Sequence, residues 1–196
     1  SRCVCPSSRW PPRSQHVSAS SGCCVGTLEV TGDWWQAEHV PDVVIRPFRE
    51  GEALAVASWA YEPPYDWYNG QPTRFEDYLA VDGEGYGYYA IVAADQDVIG
   101  FCCFGPEARV TGQPPVAGIL DIGGGVRPDR LSLGIATTLF PGIINFAQAT
   151  FRPTHLRTAI ASFNERSTRL CLSAGFTVVR RFDGPGREFQ ELLRPA

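Results

Sequence analysis

The sequence contains no methionine. A natural reading frame starts with one, so the chain reads as processed, as a fragment or as conceptually extended. It has no excess of positive charge: 17 basic against 21 acidic residues give a net charge of −4 and a pI near 5.4. Nucleic-acid-binding surfaces are usually basic, so that class is disfavoured. No apolar run approaches the roughly 18 residues that a membrane span needs. The most apolar stretch, Ile135 to Phe151, is interrupted by Pro141-Gly142. The first residues carry no charged segment followed by an apolar one, which argues against a signal peptide. The seven cysteines are odd in number and include adjacent pairs, which disfavours a secreted disulfide framework. Buried thiols in a reducing cytosol are expected instead, and with them a cytoplasmic protein.

What is present divides into two parts. Residues 1 to about 40 are rich in Ser, Pro, Arg and Cys without a period, so a disordered or loosely packed leader is expected. Its cysteines, Cys3, Cys5, Cys23 and Cys24, follow no established zinc spacing, and no metal is expected. An ordered domain is expected over 43–194. Its reading runs strand, helix, helix, three strands, helix, strand, helix and two strands. "YYAIVAAD" and "DVIGFCCFG" form a hairpin around Ala94–Asp97. "RFEDYLAV" reads as a short helix. Asn164 opens a helix over "NERSTRLCLSAGF", and Gly175 ends it. The order implies an α/β (α+β) fold, a mixed and mostly antiparallel seven-stranded sheet flanked by helices. Pro141 is expected to kink or break the helix that starts near Ser132, because proline removes a helical hydrogen bond and crowds the preceding turn.

Two stretches carry chemistry. In "VRPDRLSLGIATTLF", Val126 to Phe140, a strand enters a small-residue junction and a helix leaves it. A helix N-terminus has unpaired N–H groups and a partial positive charge, and small residues let an anion approach them. Gly134 and Ala136 suit that use, although a tight turn alone would also explain them. "ASFNERSTRLCLSAGF" follows one strand later.

Together these stretches resemble the GNAT acetyltransferase superfamily. Val126, Pro128, Gly134 and Ala136 match its V-x-P loop. Asn164, Ser167, Leu170, Gly175 and Phe176 match its second motif. "IRPFREGEA" and "VRPD" look like the bacterial branch near the ribosomal-protein N-terminal acetyltransferases. The resemblance covers about residues 43–194 and implies the GNAT acyl-CoA N-acyltransferase fold. It also implies acetyl-CoA as cosubstrate and direct acetyl transfer to a primary amine. The pyrophosphate would lie on the amides of Leu131, Ser132, Leu133, Gly134, Ile135 and Ala136. The strand ending "GGGV" would splay from its neighbour, and the pantetheine arm would pair near Gly125 and Val126. The three glycines there suit a bulge and a close backbone approach. Asn164 would cap its helix and contact the pantetheine or acetyl end.

The sequence departs from the family at three places. Cys171 stands where many members carry a tyrosine that protonates the leaving thiolate. It is either an acid or a small core residue. Leu131 stands where Gln or Arg is frequent, and Pro141 follows in the helix. A base is needed to deprotonate the amine. Asp121, in an otherwise apolar strand, is the first candidate, since a buried lone carboxylate is costly unless partnered or useful. Pairing to an arginine is its other explanation. Glu62 and Asp66 are alternates, and His155 reads as structural. Tyr61, Tyr65, Trp67 and Tyr68 flank Glu62 and Asp66 and would line a cleft for a cationic amine. They would equally serve to pack the short helices onto the sheet. The acceptor is a peptide or small-molecule amine, and exposed C-terminal strands leave a homodimer open. A CoA-binding module without catalysis, and a metal-binding regulator using the leader, are the competing readings.

Overall fold

The structure, a computed structural model, describes residues 43–196. The cysteine-rich leader, and with it the metal reading, lies outside those residues. A seven-stranded sheet runs in the order β1-β2-β3-β4-β5-β7-β6. Its strands are β1 (Val43–Pro47), β2 (Gly87–Ala93), β3 (Val98–Phe104), β4 (Ile119–Val126), β5 (His155–Ala161), β6 (Thr177–Gly184) and β7 (Arg187–Pro195). Every neighbouring pair is antiparallel except β4 and β5. The helices are α1 (Glu50–Ala57), α2 (Ile135–Phe151) and α3 (Glu165–Ser173).

Each face of the sheet has its own core. On one side, Leu139, Ile143, Ile144 and Phe146 of α2 pack on Ile91, Cys102, Phe104, Leu120 and Ile122 of the central strands. Cys171 of α3 and Phe176 join this cluster. On the other side, Ala53 and Val56 of α1 meet Ala90 and Val92 of β2, with Trp59, Tyr78 and Phe101 around them. The alternation of faces along β2 feeds both cores, as the two-residue period of a strand requires. Glu52 fixes the start of α1: its carboxylate accepts from the Arg49 amide at 2.9 Å and from both terminal nitrogens of Arg46 at 2.8 and 2.6 Å.

Two expectations are corrected. "RFEDYLAV" does not form an α-helix but 3-10 turns over Pro72–Leu79, and none of these residues is fully buried. A short segment without a buried stripe lacks the packing that sustains an α-helix. Pro141 does not break α2, which runs unbroken across it. The proline is exposed, and Leu139, Ile143 and Ile144 on the opposite face are buried. The lost hydrogen bond falls in the second turn, and the packing of that buried face holds the helix together.

Candidate functional site

The site begins where β4 and β5 part. They pair in parallel only from Ile119–His155 to Asp121–Arg157. Beyond that point β4 stays with β3, matching Ile122–Val126 to Phe104–Gly100. β5 stays with β7 to its end at Ala161. The strands therefore diverge after Asp121, and a cavity of about 570 Å³ fills the gap. One wall is Ile122 to Val126, and the other is Thr158, Ala159 and Ile160.

The glycines of the first wall are set by β3 rather than by a bulge. The β3–β4 register runs without a shift. A Cβ on Gly124 would lie 2.6 Å from the Phe101 carbonyl oxygen. One on Gly125 would lie 2.7 Å from the Phe101 ring, and one on Gly123 would lie 2.9 Å from the Cys103 sulfur. The expected close approach is present and the expected bulge is not.

The junction after β4 forms one end of the cavity. Gly134 caps α2 with φ of 75°, and Ser132 also has a positive φ of 66°. These left-handed residues interrupt regular bonding, and the N–H groups of residues 132–136 donate to no backbone carbonyl of the described residues. Leu131 is the exception among the expected amides, since its N–H donates to the Pro128 carbonyl at 3.3 Å. Open space surrounds the position of a Gly134 Cβ. Arg130 and Arg166 both line the cavity, and Arg166 donates to the Ser132 hydroxyl at 3.3 Å. Leu133 projects into solvent and Ile135 packs against the core, and neither side chain lines the cavity.

The segment after α1 closes the cavity from above. Tyr61, Tyr65 and Tyr68 line it. The Tyr61 hydroxyl donates to the Val126 carbonyl at 3.0 Å, and burial pushes its pKa up. Asn164 does two things: its Oδ1 accepts from the Ser167 amide at 3.1 Å, capping α3, and its Nδ2 donates to Tyr68 at 3.2 Å. Trp67 is turned away. It packs edge-on against Phe189, and the Arg187 guanidinium sits over its ring at 4.6 Å. Glu62 and Asp66 are exposed, and neither lines the cavity. The expected cleft thus keeps three of its aromatics and loses Trp67 and both carboxylates.

Asp121 does not reach the cavity either. It is 3% exposed, and both carboxylate oxygens are engaged. Oδ1 accepts from Arg157 Nε at 2.5 Å and Oδ2 from Arg109 Nε at 2.8 Å. Arg157 also donates to the Pro114 carbonyl and lies 3.8 Å from Glu191. Glu191 in turn accepts from Gln113 at 2.7 Å and Arg180 at 2.9 Å. A buried carboxylate held by two guanidiniums and absent from the cavity lining is out of an amine's reach, so the arginine-paired explanation holds. His155 stands at the far end of β5, beside Thr154.

Cys171 does line the cavity, and burial pushes its thiol up to about 12. It therefore keeps its proton and presents a weak S–H donor. Cys103 lines the opposite wall, pushed up to about 12 by burial. Sequence reasoning missed Glu107. It is the single carboxylate among the described residues that line the cavity, carried by the 3-10 turn Gly105–Ala108. Nothing in "FGPEARV" marks it, because its neighbours come from β4 and β3 through the fold.

Among the described residues no cluster of three or more His, Cys, Asp or Glu is placed to hold a metal, and no helix is long and apolar enough to cross a membrane.

A diverging pair of central strands, with free amides at the following helix start, defines an acyl-CoA transferase architecture. The family model described as the GNAT acetyltransferase domain matches residues 42–177, and the chain belongs to that family. It is an acetyl-CoA-dependent acyltransferase. A search of curated proteins found no significant match. Solved structures with the same fold include a spermidine N-acetyltransferase SpeG chimera from Vibrio cholerae and hSSAT. It is 14% identical with a TM-score of 0.61, and the match covers 78% of this chain and 95% of that one. AAC(6′)-Ib in complex with ribostamycin and coenzyme A is 17% identical, with a TM-score of 0.62 and coverage of 78% and 93%. Mycobacterium smegmatis RimJ in complex with CoA-disulfide is 18% identical, with a TM-score of 0.58 and coverage of 79% and 82%.

Proposed function

We propose that the protein transfers acetyl from acetyl-CoA directly to a primary amine. The observation that carries this reading is the continuous cavity from the free amides of residues 132–136 to the fork after Asp121. The pyrophosphate rests on those amides, where the helix N-terminus favours an anion, with Arg130 and Arg166 beside it. The pantetheine arm follows Gly125 and Val126. The Val126 carbonyl already accepts from Tyr61 and has a second lone pair for an arm amide. Asn164 faces the arm from α3. The acceptor enters beneath Tyr61, Tyr65 and Tyr68, whose ring faces suit an ammonium. Spermidine N-acetyltransferase and the aminoglycoside complex share the fold, and both support an amine acceptor of small-molecule class. Among the described residues, the buried free thiols Cys102, Cys103 and Cys171 suit a reducing, cytoplasmic setting.

Cys171 is a poor proton donor to the departing thiolate. A thiol held near 12 gives up its proton uphill to a CoA sulfur of ordinary acidity, near 8.5 for a free thiol. In this reading Cys171 shapes the wall, and the thiolate leaves without a dedicated acid.

Calorimetry with acetyl-CoA and desulfo-CoA, on the native chain and on Gly134→Trp, tests the assignment. A bulky side chain at the open Gly134 position should abolish binding of both ligands. Binding unchanged by the substitution would remove the pyrophosphate from this junction. No binding to the native chain would end the enzyme reading.

A further inference from the structure

Resting on the transferase reading, we propose that Glu107 is the proton acceptor for the amine, and that Arg109 and Asp121 hold it there as positioning residues.

The argument starts from the two ends of the cavity. The amide cradle at residues 132–136 marks the phosphate end. From Val126 back to Gly123 the strand covers about 10 Å at roughly 3.3 Å per residue. An extended cosubstrate anchored at the cradle therefore directs its thioester toward Gly123 and the fork. The turn Gly105–Ala108 lies there. A Cβ on Gly123 would sit 3.6 Å from Ala108 Cβ and 2.9 Å from Cys103 Sγ. The Cys103 thiol points at the Glu107 carbonyl, 3.7 Å away. Glu107 thus lies at the exposed rim of the reacting end and lines the cavity, whereas Glu62 and Asp66 lie outside it and Asp121 is held by two arginines.

The turn is tied to the fork by buried polar groups. Arg109, two residues beyond Glu107, donates to Asp121, and Asp121 forms the last β4–β5 pair with Arg157. Arg157 also holds the Pro114 carbonyl, and Gln113 joins the Val110 amide to Glu191. The segment between β3 and β4 is therefore fastened at the vertex where the strands part. The buried Asp121, unavailable to an amine, acts through Arg109 on the placement of the carboxylate that is available.

The chemistry balances without another reagent. The ammonium gives one proton to Glu107, and the freed lone pair forms the C–N bond to the thioester carbonyl. The intermediate collapses with cleavage of C–S. The second N–H proton ends on the CoA sulfur, and Glu107 releases its proton to water.

The groups facing Glu107 are Cys103 on β3 and Tyr88 on β2, with Arg109 on its own segment and Asp121 beyond it on β4. Burial pushes Cys103 and Tyr88 upward, so each keeps its proton at neutral pH. A carboxylate acceptor must be ionised to take the proton, so the acid limb of the rate is a readout for the Glu107→Gln variant.

The experiment measures acetyl transfer to spermidine, to ribostamycin and to a short peptide with a free N-terminus, from low to neutral pH, with acetyl-CoA affinity measured in parallel. Glu107→Gln should cut kcat by roughly 100-fold or more, leave acetyl-CoA affinity unchanged and abolish the acid limb. Arg109→Gln should lower kcat by about 10-fold with affinity unchanged, and Arg109→Lys should restore part of it. A Glu107→Gln enzyme with native kcat and the same acid limb overturns the assignment while the transferase reading stands. A loss of fold, seen by circular dichroism, in Glu107→Gln would show a structural role and overturn it too. If Arg109→Gln reduces acetyl-CoA affinity as much as kcat, the positioning role falls. A native chain that binds acetyl-CoA and acetylates none of the amines overturns both readings.

Discussion

The two halves of β4 differ in what satisfies them. From Ile119 to Asp121 the strand is closed on both sides: β5 pairs with it, and Arg157 and Arg109 saturate Asp121. From Ile122 to Val126 it keeps β3 and gives up β5, and its free edge faces the cavity. The closed half spends its polar groups on itself, so changes there should act on stability. The open half leaves its edge to a ligand, so changes there should act on binding.

The strongest test of that division is Asp121→Ala. It leaves Arg157, 3% exposed, without its closest counter-charge. Removing one partner of a buried ion pair costs about 3–5 kcal/mol. The urea midpoint should fall accordingly. An Asp121→Ala chain as stable as the native one would mean that the network is not what closes the vertex. Gly134→Trp should cross the comparison, abolishing binding while costing only about 1–2 kcal/mol in the absence of ligand, the strain of a side chain at a left-handed position.

Gly124→Val comes next, because it belongs to both halves of the argument. Its Cβ would meet the Phe101 carbonyl oxygen at 2.6 Å, a backbone atom that cannot swing aside. A cost of about 1–3 kcal/mol is expected from forced shifts, together with weaker acetyl-CoA binding as β4 is pushed into the cavity. If affinity held while stability fell, the wall would be more adaptable than the glycines imply.

The contrast also explains what the sequence revealed. Local signals were legible. The Ala94–Asp97 turn lies between β2 and β3, with Gln96 at a positive φ. Asn164 caps α3 from its own side chain, and Gly134 takes the left-handed position that starts α2. Each depends on residues within a few positions. The buried charges were not legible in the same way, because Asp121 meets Arg109 and Arg157, 12 and 36 residues away. An apolar strand with one carboxylate looks alike whether that carboxylate serves chemistry or an ion pair. Glu107 gave no signal for the converse reason: a solvated-looking turn becomes part of the cavity only when β4 runs beside it. Trp67 was placed in the cleft by proximity in sequence, whereas Arg187 from β7 turns it outward.

The smallest expected effect separates the thiols by position. Cys103 and Cys171 line the cavity on opposite walls, whereas Cys102 is fully buried outside it. An unfolded thiol ionises near 8.5, and burial pushes Cys103 and Cys171 up to about 12. A raised folded pKa lends stability that is complete below the unfolded value and is lost as pH rises through the folded one. The chain should therefore lose stability from about pH 8.5 upward, by at most roughly 1.4 kcal/mol for each thiol as the pH climbs by one. Alkylation at pH 9, followed by mass spectrometry of the peptides, should be slow at all three. At Cys103 and Cys171, reached through the cavity, acetyl-CoA should slow it further. At Cys102, reached only by opening of the core, ligand should act no more than its general stabilisation of the fold requires. Equal protection of all three thiols would mean that the ligand reports on global opening and does not occupy the space between the two walls.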